Sequence, residues 1–170
     1  LVALGGGSVI DTAKAILYFV WERHKARGEK FEKPCFVAIP STSGTGSEVT
    51  NFSVISAKGA KNVLIDEFIA PDVALLDSTC IRNVPKAVIA DTGMDVLVHA
   101  LEAYVSKDAT DFTDALAEKT AELIFAHLKK LYDDPANDNA RDRVQNASCI
   151  AGVAFTNANL GITHSMAHAL

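Results

Sequence analysis

Asp95 and His99 stand four residues apart in GMDVLVHALEAY, and His164 and His168 repeat that spacing in GITHSMAHAL. On a helix, each pair points to one face. A carboxylate oxygen and an imidazole nitrogen are common ligands of a divalent metal. Asp95, His99 and one of the two later histidines are therefore candidates to converge on one cation. Each pair alone has a plainer reading: an Asp–His hydrogen bond on a surface helix, or two histidines that pack or cap. Two such pairs in one helical stretch, in a chain with five histidines, are harder to dismiss. His24 and His127 lack this pairing and read as surface or packing residues.

A second chemistry is suggested by GGGS, residues 5–8. Glycines let a backbone turn tightly and approach a ligand closely. The N–H groups and dipole at the start of a following helix favour an anion. Such a turn can hold a pyrophosphate. It is not the G-x-G-x-x-G pattern, because Ile10 stands where the last glycine would be. A tight strand-to-helix turn without a ligand is the competing reading. A third candidate is PSTSGTGSEVT, in which residues 41–47 are all Ser, Thr or Gly. Composition alone allows a flexible linker. Apolar strand candidates flank the run closely, however, and ligands bind at the C-terminal ends of strands in open α/β sheets.

The elements that must position these residues fall into two halves. Val2–Leu4 reads as a buried strand and Ser8 to about His24 as a helix, with Ser8 and Asp11 spaced like a capping box. Cys35–Ile39 reads as a second buried strand, TNFSVIS and KNVLI as a β-pair across AKGA, and PDVALLD as a further strand. Strand, helix and strand with apolar runs predict a parallel α/β sheet. From Pro85 onward the spacing is helical, with Val88, Val96, His99 and Ala103 on related faces. TDFTDALAEKTAELIFAHLKKLY predicts a second long helix, and the segment from Ala140 is mostly helical. The fold class is α/β plus all-α, with residues 1–84 as the α/β part and residues 85–170 as the helical part.

Composition narrows the function classes. Hydrophobic residues make up 49% of the 170, enough for a sizeable core. A net charge of −5 argues against a nucleic-acid or anionic-membrane surface. No apolar run approaches the roughly 18 residues of a membrane span. Cys35, Cys80 and Cys149 are far apart, which fits a reducing, cytoplasmic compartment better than a disulfide scaffold. The chain opens on a strand without an initiator Met and reads as an interior piece of a longer protein.

LGGGSVIDTAKAI, IPSTSGTGSEVT, LLDSTCIRNVPKAVIADTGMDVLVHALEAYVS and GITHSMAHAL together resemble successive landmarks of the iron-containing (group III) alcohol dehydrogenases. The stretch from Asp77 to Glu102 is the most specific. The resemblance implies part of a Rossmann-like nucleotide domain followed by part of a helical metal-binding domain. It also implies hydride transfer between a small alcohol or aldehyde and NAD or NADP. By that resemblance Asp95, His99 and His164 are metal ligands, with a fourth histidine expected beyond Leu170. His168 matches a histidine near nicotinamide and substrate that relays a proton or orients the substrate. Gly6, Gly7, Ser8 and Asp11 match the pyrophosphate turn; Ser41, Thr42 and Thr50 match the polar cofactor loop; Lys61 matches a cofactor-contacting lysine. The metal implied is Fe²⁺, although O/N ligands of this kind also suit Zn²⁺. A homo-oligomer is implied for the full-length protein. A polyol or sugar-phosphate dehydrogenase on the same fold, and an inactive binding fragment, are the alternatives. Lacking the fourth histidine, the 170 residues alone are expected to bind metal weakly and to show no turnover.

Overall fold

The structure, a computed structural model, describes residues 1–57 and 60–169; the side chains of residues 57, 60, 168 and 169 lie outside that description. The chain is a mixed α/β fold with a parallel sheet and packed helices. Strand β1 (Val2–Gly5) leads through the glycine turn into helix α1 (Gly7–Ala26), and β2 (Val37–Pro40) pairs parallel to β1. Strand β5 (Val73–Ala74) pairs parallel on the other side of β2, so the sheet order is β1-β2-β5. Between them, β3 (Phe52–Ala57) and β4 (Ala60–Ile65) form an antiparallel hairpin, with its turn, residues 58–59, outside the described residues.

Parallel strands need cover on their faces. Here Ile10 and Leu17 of α1 pack on Ala3, Phe36 and Ala38, with Phe31 and Phe68 at the margin. The same buried stripe contains Lys14, which is fully buried. The expected strand over PDVALLD shrinks to two residues. Its backbone still follows β2, with Val73 N donating to Phe36 O and Leu75 N to Ala38 O. It then breaks off because Asp77 caps a 3₁₀ turn, Ser78–Ile81, by accepting from Thr79 N.

The helical half is α2 (Lys86–Tyr104), α3 (Asp111–Asp133), α4 (Asp138–Ala158) and the short α5 (Ile162–Ala169). Val96, Leu97, Leu123, Ile124, Leu131 and Val144 form its core. The expected capping box at Ser8 and Asp11 is absent. The N-cap of α1 is Gly6, with no side-chain bond to the helix. Ser8 is exposed, and its carbonyl accepts from Thr12 Oγ1. The capping box is instead on α3, where Thr110 and Thr113 satisfy each other's backbone N–H groups. Asn159, at φ +67°, ends α4 and turns the chain toward α5.

Two features join the halves. Phe52 of the hairpin packs on Phe155 of α4, with ring centroids 6.0 Å apart. The polar loop, residues 41–47, lies against α2 and α4. Gly46 there has φ +61°, and a Cβ on it would sit 2.7 Å from Gly152 Cα. Only glycine permits both that conformation and that approach. Among the described residues, no helix is long and apolar enough to cross a membrane.

Candidate metal and cofactor site

Asp95, His99 and His164 come together, with one ligand atom from each lying within 4.8 Å of the others. Asp95 Oδ1 is 3.9 Å from His99 Nε2 and 3.5 Å from His164 Nε2. Two atoms each about 2.1 Å from one ion lie about 3.4 Å apart at a tetrahedral angle, so these separations fit a single cation. Helix α2 supplies Asp95 and His99 one turn apart, and α5 brings in His164. The rings of His99 and His164 stack at 4.4 Å and 16°, and His99 stacks on Phe155 on its other face at 4.6 Å.

The two imidazoles sit in opposite electrostatic settings. His99 is buried, and burial drives its pKa down to about 4 against the pull of Asp95; the nearby His164 ring adds to the fall. At neutral pH its ring is therefore uncharged and offers a lone pair. Burial also works against a charged His164, but the Asp95 and Glu102 carboxylates outweigh it and raise its pKa above the ordinary value.

Glu102 is a residue that the sequence reading missed. Its carboxylate accepts from Gly161 N at 2.9 Å and Thr163 N at 2.7 Å, and lies 2.5 Å from His164 Nδ1. Burial alone would raise its pKa, yet the ring and the two amides hold it down at about 2. The signal was present in the spacing. Asp95, His99 and Glu102 are i, i+4 and i+7 on one helix, so they share a face.

The two glycine- and hydroxyl-rich segments face each other. Ser41 N donates to Gly5 O at 2.9 Å. A Cβ on Gly6 would lie 3.2 Å from Thr42 Oγ1, and one on Gly7 would lie 2.7 Å from Thr45 Cγ2. The other residues expected to touch cofactor are placed differently. Asp11 points across to the loop and hairpin; its carboxylate accepts from Ser47 Oγ and from Val54 N at 3.0 Å. Thr50 is 2% exposed and accepts from Lys14 Nζ through both its carbonyl, at 2.7 Å, and its hydroxyl, at 3.0 Å. Lys14 Nζ also donates to Phe52 O at 2.7 Å. Ser8 is exposed at the start of α1, and Lys61 is exposed on β4 opposite Ser56. His168 lies on α5, but its side chain is outside the described residues. His24 pairs with Glu29 at 2.8 Å and stacks on Phe31, with ring centroids 5.1 Å apart.

Comparison with known proteins adds an independent line. A family model described as iron-containing alcohol dehydrogenase matches residues 1–78, and the C-terminal model of the Fe-containing alcohol dehydrogenase family matches residues 89–170. The chain is 49% identical to a 1-propanol dehydrogenase of Citrobacter freundii over its whole length, and spans 45% of that relative. It superposes on the iron-containing alcohol dehydrogenase of Thermococcus thioreducens with a TM-score of 0.87 at 41% identity, covering 99% of this chain and 47% of that one. On the sulfoacetaldehyde reductase of Bifidobacterium kashiwanohense, solved with NAD⁺, the TM-score is 0.86 at 35% identity, covering 96% and 46%. The chain thus spans about half the length of the relatives it matches.

Proposed function

The chain belongs to the iron-containing alcohol dehydrogenase family, and from that premise we propose that it supplies the cofactor turn and three metal ligands of a metal-dependent alcohol dehydrogenase acting on a small alcohol or aldehyde with NAD or NADP. The observation that carries the reading is the convergence of Asp95, His99 and His164 on one point from two helices. The O/N donor set fits Fe²⁺, the family's metal, and suits Zn²⁺ as well. When bound, the metal supplies Lewis acidity toward the substrate oxygen, and the nicotinamide carries the hydride. Asp95 contributes the negative charge at the site. His99, packed between Phe155 and His164, presents a neutral ring nitrogen that cannot swing away. His168, one turn beyond His164 on α5, is the proposed proton relay or substrate-orienting group.

Gly6 and Gly7 with Thr42 form the proposed pyrophosphate cradle, and Ser41 ties its two walls together. Asp11 and Thr50 serve it from behind by holding the loop in place. A division near Val84 is proposed between this cofactor part and the metal part, supported by the separate family models on either side of it. Three free thiols, Cys35, Cys80 and Cys149, support a cytoplasmic setting.

Gly7→Val tests the cradle. Its cost is steric, since the valine would enter the space of Thr45; Gly7 is not among the positive-φ residues. NADH fluorescence titration should show at least about a 10-fold weaker dissociation constant, equivalent to about 1.4 kcal/mol, while metal affinity stays within twofold. Unchanged NADH affinity in a folded variant would move the pyrophosphate site elsewhere. The activity itself is tested by aldehyde-dependent oxidation of NADH or NADPH in a protein extended to the relatives' full length. Turnover that persists after chelation and dialysis would refute the metal-dependent reading.

A further inference from the structure

We propose that Glu102 is a positioning residue for the metal site: it holds His164 as the Nδ1–H tautomer, with Nε2 turned toward Asp95 and His99, and clamps the first turn of the helix that carries that ring. The inference rests on the metal reading above and deepens it.

The geometry leaves little choice of proton placement. Glu102 Oε1 accepts from Thr163 N, and Oε2 accepts from Gly161 N and meets His164 Nδ1 at 2.5 Å. An ionised carboxylate has acceptors only. The ring nitrogen that meets it must therefore carry the hydrogen. In a neutral ring the lone pair is then on Nε2, the atom 3.5 Å from Asp95 Oδ1. Histidine ligands are commonly oriented in this way, through the nitrogen that does not ligate. Glu102 is 7% exposed, so water competes weakly for these bonds. A Cβ at Gly161 would lie 2.9 Å from Glu102 Oε1, so the chain comes in as close as a glycine allows.

The same count makes Glu102→Gln a sharp probe. The amide side chain has nearly the same shape as the carboxylate but carries an NH₂ at one end. Facing Thr163, that NH₂ opposes a backbone N–H. In the other orientation it opposes Gly161 N–H and donates to the ring, which drives the ring proton onto Nε2. That tautomer keeps its lone pair on Nδ1 and has none on Nε2, the atom turned toward Asp95 and His99.

The test combines two readouts that do not depend on turnover. In the ¹⁵N-histidine-labelled, metal-free chain, at a pH where the ring is neutral, long-range ¹H–¹⁵N correlation should report His164 as the Nδ1–H tautomer. Co²⁺ titration, followed by visible absorption, should show Glu102→Gln binding about 10–100-fold more weakly than the parent chain. Glu122→Gln, on an exposed stretch of α3, should match the parent. A parent chain that binds Co²⁺ with His164 as Nε2–H overturns the inference and leaves the metal reading standing. So does a folded Glu102→Gln chain with Co²⁺ affinity within twofold of the parent. If Glu102→Gln does not fold, the tautomer of the parent chain decides alone. A parent chain that binds no Co²⁺ removes the metal reading and this inference together.

Discussion

Replacing His99 by alanine should lower the Co²⁺ affinity of the chain by at least about 100-fold, beyond the 10–100-fold expected for losing a partner outside the metal's own ligands. The ring is buried and held neutral by that burial, so its lone pair is already desolvated. Alanine deletes a ligand that nothing else on α2 can replace. It also leaves a void between Phe155 and His164, which on cavity grounds costs about 2–4 kcal/mol. Asp95→Ala removes the only carboxylate of the triad but sits half exposed, so it should weaken the metal comparably with little effect on folding. The comparison separates ligation from packing. In a protein of the relatives' length, either change should abolish turnover while NADH binding is largely kept, because the glycine turn lies in the other half. Near-normal metal affinity in Asp95→Ala would remove that residue from the ligand set.

Lys14→Met should destabilise the chain by about 3 kcal/mol at pH 7, measured by urea unfolding. The ammonium is fully buried and donates to Thr50 O, Thr50 Oγ1 and Phe52 O. A methionine fills the volume but leaves two buried carbonyls unpaired, at about 1–3 kcal/mol each. It also leaves Glu48, itself buried, without a nearby cation. Relief of the lysine's desolvation offsets part of this loss. That offset depends on pH, and its sign can be worked out. Burial lowers the Lys14 pKa from 10.5 to about 8, with Asp11 and Glu48 opposing the shift. Between those values the unfolded chain holds a proton that the folded chain has released. Stability from this group therefore rises with pH across the window from about 8 to about 10.5 and is flat below it. The gap between parent and variant should widen over the same window. A variant as stable as the parent at pH 7, or a gap that narrows as pH rises, would contradict this account.

What the sequence made legible follows the range of the interactions. Asp95 and His99 stood out in the sequence because polar residues one helical turn apart are a local pattern, and His164 stood out by the same spacing from His168. The glycine turn and the strand before it were equally local. Asp11 was misread for the same reason. Its three-residue spacing from Ser8 imitates a cap, whereas its carboxylate reaches Ser47, 36 residues on. Lys14 hides within an apolar helix stripe, and nothing in its neighbourhood announces that Thr50 and Phe52 will supply acceptors. Glu102 lay on the same face as the two α2 ligands. Its role depends on α5 folding back across α2, a contact 59 to 62 residues distant in sequence. The shortened β5 depends on Asp77 capping a turn, a choice between two local options that apolar content alone does not decide.

The central claim is that Asp95, His99 and His164 hold one divalent ion. The most direct measurement is X-ray absorption on the chain loaded anaerobically with Fe²⁺, together with its metal content. The account predicts one ion per chain, in a shell of nitrogen and oxygen donors that includes at least two imidazoles. A shell without imidazole, a sulfur donor from one of the three cysteines, or no stoichiometric binding at all would contradict it.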